Sequence, residues 1–164
     1  MTVVIADSSP LNYLTLIGSV DVLHRLYVAV VVPQQVISEL VDSGAPHVVQ
    51  EWASNLPDWI DVRQAVISDD DMTDLDPGER AAIVLAQSEP GALLLIDETA
   101  GRIEASRRGI RNTGTLGVLR AAALKDYVDL PTALARLLET NFRVSMQLVS
   151  ALLAEDAERR RRAE

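Results

Sequence analysis

The sequence predicts an α/β domain in three layers, with a parallel sheet covered by helices on both faces. Three observations predict it. The aliphatic runs VVIA (residues 3–6), VAVVV (28–32) and ALLLI (92–96) have strand length without polar alternation, as fits strands buried on both faces. Helical segments rather than tight hairpin turns separate these runs. The chain, at 164 residues with 48% hydrophobic content, is long and apolar enough for one packed core. A domain of that length buries roughly 70% of the surface of its unfolded chain.

The elements follow in order. After the first strand, Ser9 is placed to cap a helix from Pro10 to Ile17, with proline at its first position and Gly18 as its stop. Asp21 to Leu26 gives a further turn or two. The strand Val28–Val32 leads into a helix over PQQVISELVDSG, and Pro46 to Asn55 is helical. Trp59 to Arg63 has the composition of a short edge strand. SDDDMTDLDPG is an acidic loop, and PGERAAIVLAQSE is a strong helix. ALLLI ends in Asp97, followed by the helical ETAGRIEASRRG. Ile110 to Asn112 is a short strand before TGTLGVLRAAALKDY turns helical again. LPTALARLLETNF and VSMQLVSALLAEDAERRRRAE are two closing helices. Neither a repeat nor a linker interrupts the pattern. It therefore reads as one domain over 1–164, with a core over about 1–128 and a helical extension over about 129–164. The basic run Arg159 to Arg162 reads as a solubilising end to the last helix, favoured by the helix dipole.

Composition narrows the function classes. With no cysteine, the chain has no disulfide, thiol nucleophile or cysteine-type zinc site, and this fits a cytoplasmic protein. Neither a signal-peptide pattern nor an apolar stretch of about 20 residues is visible, so no membrane association is expected. The net charge of −9 argues against a protein that simply coats DNA. Between Thr99 and Lys125 the balance reverses, with six basic residues against Glu104 alone. Aromatic residues make up 4%, too few for a base-stacking platform.

Four acidic residues stand out by position. Asp7 and Asp97 each follow an aliphatic strand, and parallel strands bring their carboxyl ends to one rim of the sheet. Carboxylates that close repel unless a proton or cation relieves them. A hard divalent ion does so with oxygen ligands and retained waters. Glu39, in VISEL, falls on the flank of an apolar arc formed by Val36, Ile37, Leu40 and Val41. It either reaches along the sheet edge toward that rim or is an ordinary boundary glutamate. Glu79, in DPGE, is the third helical residue after an Asp76 cap, which is also a capping-box arrangement. Asp7 could equally serve as a turn residue, and Asp97 as the cap of a helix beginning at Glu98.

The combination of these pieces resembles the PIN-domain family, and within it the VapC-like ribonuclease toxins and their GTLG branch. The matching segments are IADSSPL with Asp7, VISEL with Glu39, GERAAIVLA with Glu79, LLLIDE with Asp97, and GTLGVL from Gly114. They lie in order between residues 3 and 119, and the C-terminal helices fit the longer members of the branch. The resemblance implies a small parallel sheet flanked by helices, an acidic Mg²⁺ or Mn²⁺ site, and cleavage of RNA. It also implies a cognate antitoxin protein that lies across apolar grooves and sends a basic residue into the acidic pocket. One departure stands out: relatives often carry a second Asp after the strand-end Asp, where this chain has Glu98.

On that reading Asp7 and Asp97 are direct ligands, and Glu39 and Glu79 ligate or orient metal-bound water. Glu98 is a secondary candidate. Ser9 and Thr115 offer hydroxyls to a phosphate or act as helix caps, and Arg102 and Arg107 could steer RNA. Leu134, Leu137, Leu138, Leu148 and Leu152 could supply a partner groove or homodimer seam, or simply core. Two other readings stand beside it. A catalytically silent PIN-like interaction module would be expected to lose a carboxylate, and none is lost. A metal-dependent phosphatase using Asp7 as nucleophile would normally carry a second Asp at position 9, which is serine. Neither His24 nor His47 lies beside a nucleophile, so histidine catalysis has no support.

Overall fold

The computed structural model describes residues 2–68 and 70–164. Strands Val4–Ala6 (β1), Val30–Pro33 (β2), Ile60–Arg63 (β3), Leu93–Leu95 (β4) and Arg111–Thr113 (β5) form a parallel sheet in the order β3-β2-β1-β4-β5. Ile5 is in register with Val31 on one side and with Leu94 on the other, which makes β1 the centre of the sheet. The chain builds outward from β1 to β3, then crosses back and builds outward from β4 to β5. The strand order therefore reverses between β1 and β4. The crevice at the carboxyl ends of two such strands is where open α/β sheets bind ligands.

Nine helices are described: Ser8–Leu16 (α1), Val22–Tyr27 (α2), Gln34–Leu40 (α3), His47–Ser54 (α4), Pro77–Gln87 (α5), Thr99–Arg107 (α6), Thr115–Leu124 (α7), Leu130–Leu138 (α8) and Met146–Ala163 (α9). The continuous aliphatic strands are explained by burial on both faces. Val4, Ala6, Val30 and Val32 point into a larger core shared with α1, α2 and α7, whereas Ile5, Val31 and Leu94 point the other way, onto α5 and α6. Each fully buried Leu or Ile contributes roughly 1.5–3 kcal/mol over an exposed one. None of the described helices is long and apolar enough to cross a membrane.

The closing helices are built into the larger core. Leu130, Leu134 and Leu137 of α8, and Val149 and Leu152 of α9, pack in the cluster that holds Leu11 and Leu14 of α1. Of the five leucines singled out in the sequence, Leu134, Leu137 and Leu152 are therefore core, while Leu138 and Leu148 stay exposed. The basic end of α9 does more than solubilise. Arg159 pairs with Asp126 and Asp156, and Arg160 with Asp129 and Asp156, tying α9 to the connection between α7 and α8. Asp156, 5% exposed, is the buried acid at the centre of that knot.

Element ends differ from the sequence expectation at particular residues. The first helix begins at Ser8, so Ser9 lies in its first turn rather than capping it, and Asp7 holds the cap position. The edge strand β3 falls where expected, and β5 sits one residue later than expected. The acidic loop includes Asp69, which lies outside the described residues. The largest difference is at Val28, expected to open a strand. Its backbone sits at φ 68°, ψ −58°, and the Ala29 N–H donates to the Tyr27 carbonyl at 2.8 Å. That is a γ-turn of the rare hand, an unfavourable shape for a β-branched residue. His24 supports the turn by bonding the Val28 carbonyl through Nδ1 at 2.6 Å, while its ring stacks on Trp59. The strand can start only after this corner, at Val30.

Because Val28 is 58% exposed, removing its side chain loses little packing. Val28→Gly is expected to relieve the strained turn and stabilise the fold by about 1 kcal/mol after glycine's own entropy cost. In a thermal melt that corresponds to a rise of about 2–4 °C. A lowered melting temperature would show that the turn carries no strain.

Candidate metal centre

Asp7 follows directly on β1 at the reversal of strand order. Its N–H donates to the Leu95 carbonyl at 2.9 Å, continuing the β1–β4 ladder by one bond. The residue occupies the N-cap position of α1 in extended conformation, yet its side chain makes no capping bond. It is 2% exposed, and Oδ1 has no hydrogen-bond partner. A buried, unpartnered carboxylate oxygen is costly, because its desolvation is uncompensated. Burial accordingly pushes the Asp7 carboxyl up to about 8, partly offset by the Ser8 backbone N–H. The charges of Asp76, Glu39 and Asp97 add to the rise.

Glu39 reaches the same rim from α3. Its Oε1 accepts the Gly78 N–H at 2.9 Å. Position 78 has to be glycine for that approach, since a Cβ there would lie 2.4 Å from Oε1. Half-burial raises the Glu39 carboxyl, Ser8 and Gly78 donors lower it, and the charge of Asp76 raises it further. Atoms of Asp7, Glu39 and Asp76 lie within 4.8 Å of one another.

Glu79 is buried at 6% exposure. The sequence allowed it a capping box, and half of that box forms: Asp76 Oδ1 accepts the Glu79 N–H at 2.8 Å. The returning bond from the Asp76 N–H to the Glu79 carboxylate is absent among the described residues. Glu79 instead turns toward the rim, where its Oε2 would stand 3.3 Å from a Cβ on Gly101. Its carboxyl is pushed up to about 8, first by burial, then by a hydrogen bond and charge shared with Asp76 and the charges of Asp7 and Glu98.

Asp97 is the best-secured carboxylate. It does not cap α6, whose cap position is Glu98. Instead Oδ1 accepts the Thr115 N–H at 2.7 Å, and Oδ2 accepts the hydroxyls of Ser9 at 2.6 Å and Thr115 at 2.7 Å. Gly114 makes room for it, because a Cβ there would sit 2.6 Å from Oδ1. Three donors from two helices thus hold Asp97 at the mouth of the crevice. Ser9 and Thr115, read from the sequence as offering hydroxyls to a phosphate or as helix caps, instead donate their hydroxyl protons to this carboxylate.

The remaining candidates lie further out. Glu98 is exposed and, with Glu39, Ser9, Asn12 and Tyr13, lines an open groove of about 290 Å³ beside the rim. Arg102 bonds Asn112 at 3.3 Å and lines a second groove of about 350 Å³ with Thr99 and Ser106. Arg107 is turned to the far end of α6, where it pairs with Glu104. Of the six basic residues in that segment, Arg108 and Arg120 are also neutralised locally, by Glu104 with Asp71 and by Glu155. Among the described residues no arginine, lysine or histidine forms an ion pair with Asp7, Glu39, Asp76, Glu79 or Asp97. Sequence reasoning did not count Asp76 among the site residues. The signal was there in DPGE, but an aspartate before proline at a helix start had a sufficient structural explanation as a cap.

The donor set suits a hard divalent ion. It offers oxygens only, one of them buried and unpartnered, with no cationic side chain paired to them among the described residues. A family model for a PIN domain, DUF3368, matches residues 3–158. Neither a curated protein nor a solved structure matched the chain.

The raised carboxyls give the metal-free protein a defined pH response. Asp7 titrates near 8 when folded and near 3.8 as its ordinary value, so the folded state binds the extra proton between those limits. The stability this contributes is full below about 4 and is lost as pH rises through about 8, with Glu79 acting in the same sense. In EDTA, the melting temperature of Asp7→Asn should fall less than that of the parent chain between pH 5 and pH 8. It should also exceed the parent's at pH 8. An unchanged slope would assign the response to other groups.

Proposed function

The chain belongs to the PIN-domain family, and on that premise we propose that it is a divalent-metal-dependent endoribonuclease serving as the toxin of a toxin–antitoxin pair. The observation that carries the reading is Asp7: a buried carboxylate with an unpartnered oxygen at the strand-order reversal, gathered with other acids and, among the described residues, paired with no basic one. Asp7 and Glu39 would hold the ion from β1 and α3, while Asp97 and Glu79 close the rim. Mg²⁺ or Mn²⁺ in such a site lowers the pKa of bound water and stabilises charge on a phosphodiester.

The chain's own residues account for the rest. Ser9 and Thr115 fix Asp97, so one carboxylate stays placed while the buried Asp7 and Glu79 change protonation. The groove beside Glu39 and Glu98 gives a strand a path to the rim, with the Asn12 amide as a donor, the Tyr13 hydroxyl being spent on Asn141. Arg102 lies on α6, whose N-cap position Glu98 holds, without an ion pair among the described residues, and is available to a phosphate. The acidic rim and the net charge of −9 would attract a cationic side chain of an antitoxin. The exposed Leu138, Met146 and Leu148 offer it apolar contact, or serve a homodimer seam.

The purified chain should degrade RNA with Mg²⁺ or Mn²⁺ and stop in EDTA, and Asp7→Asn should be folded but inactive. Cleavage undiminished by EDTA would end the metal reading. Expression alone should arrest growth, and co-expression of the neighbouring small gene should relieve it. Harmless expression of an RNA-cleaving protein would remove the toxin role and leave the nuclease.

A further inference from the structure

Helix α5 opens with Asp76-Pro77-Gly78-Glu79, and this one turn touches the rim three times. The Gly78 N–H binds Glu39, the Glu79 carboxyl is buried beside Gly101, and Asp76 brings an oxygen to within 4.8 Å of oxygens on both Asp7 and Glu39. Asp76 is also the helix cap, accepting the Glu79 N–H at 2.8 Å. An ionised carboxylate has more acceptor sites than one capping bond consumes, so the cap leaves Asp76 free to bind elsewhere.

Helix α8 shows what an aspartate cap looks like without a second task. Asp129 accepts the N–H and hydroxyl of Thr132, and its other oxygen pairs with Arg160 on the surface. Asp76 has the same cap and the same following proline, one residue closer, but no cation partner among the described residues. In place of an arginine it faces two more carboxylates. One of them, Asp7, is 2% exposed with an unpartnered Oδ1. Stacking three acids around an orphaned oxygen is unfavourable as a purely structural arrangement and favourable around a cation. Asp76 is itself exposed, so its side of the cluster opens to solvent, where a hydrated ion would enter and keep some of its waters.

We propose that Asp76 is a metal ligand, capping α5 and binding the same cation as Asp7 and Glu39. This rests on the metal-site reading above. It also couples the ion to the start of α5: loading the site fixes the turn that presents Gly78 to Glu39 and seats Glu79.

The test uses the full chain and Mn²⁺ alone, followed by calorimetric titration and by the Mn²⁺-induced shift in melting temperature. Asp76→Ser keeps a good cap but is too short to ligate, Asp76→Asn keeps an uncharged oxygen, and Asp129→Ser is the matched cap control on α8. Asp76→Ser should weaken Mn²⁺ binding by about tenfold or more and lose most of the thermal shift, with Asp76→Asn between it and the parent. Its metal-free stability should change no more than that of Asp129→Ser, whose Mn²⁺ affinity should match the parent's. Parent-like Mn²⁺ affinity in Asp76→Ser would overturn the ligand role and leave the metal site standing on the other carboxylates. A parent chain that does not bind Mn²⁺ would overturn both.

Discussion

Repulsion among like charges at the carboxyl ends of β1 and β4 governs how this end of the molecule is built. Two carboxylates about 4 Å apart near a protein surface repel by about 4 kcal/mol. Here oxygens of Asp7, Glu39 and Asp76 stand within 4.8 Å of one another, and Glu79 and Asp97 are near enough for their charges to act on Asp7 or feel it. The structure relieves that repulsion in three ways. Burial keeps Asp7 and Glu79 protonated to about pH 8, two helix N-termini donate N–H groups to Glu39 and Asp97, and hydroxyls of Ser9 and Thr115 complete the shell around Asp97. Among the described residues no basic side chain pairs with these acids, and a hard cation would supply the missing counter-charge.

The division of labour follows the fold. The sheet reversal supplies a crevice and two strand-end aspartates, the helices α3 and α5 bring their acids to it, and α7 with Ser9 of α1 holds Asp97. Positions that ordinarily serve a helix start are redirected. Asp7 sits at a cap position without capping, Asp97 passes over the adjacent α6 to hold α7, and Asp76 caps while facing the acidic group. Each departure from local custom falls at the rim, where a site takes precedence over the cheapest local structure.

The three-layer architecture, the strand-end positions of Asp7 and Asp97 and the helical placement of Glu39 and Glu79 were legible in the sequence. Aliphatic runs without alternation have few other uses, and parallel strands must end on a common rim. Less legible were features that depend on side chains meeting across the chain. Ser9 looked like a cap because Pro10 suits a first helical position, whereas its hydroxyl is claimed by Asp97, 88 residues away. Val28 looked like strand because the run VAVVV has no polar break, but the corner after α2 needs a residue to turn there. Asp76 was hidden by having one adequate explanation already. Arg107, Arg108 and Arg120 counted toward a locally basic segment until Glu104, Asp71 and Glu155 were placed beside them.

The glycines beneath the acids have an evolutionary meaning. Gly78 lies against Glu39, Gly101 against Glu79 and Gly114 against Asp97, each too close for a methyl group without displacement of the carboxylate or its neighbours. Glu39, Glu79 and Asp97 are thus each set against a position without a side chain on another part of the chain. The information that specifies this rim therefore extends to positions that would perform no chemistry themselves. Descendants of this sequence that drift at those glycines would keep all their acids and still lose the arrangement. An inventory of carboxylates would score such chains as intact.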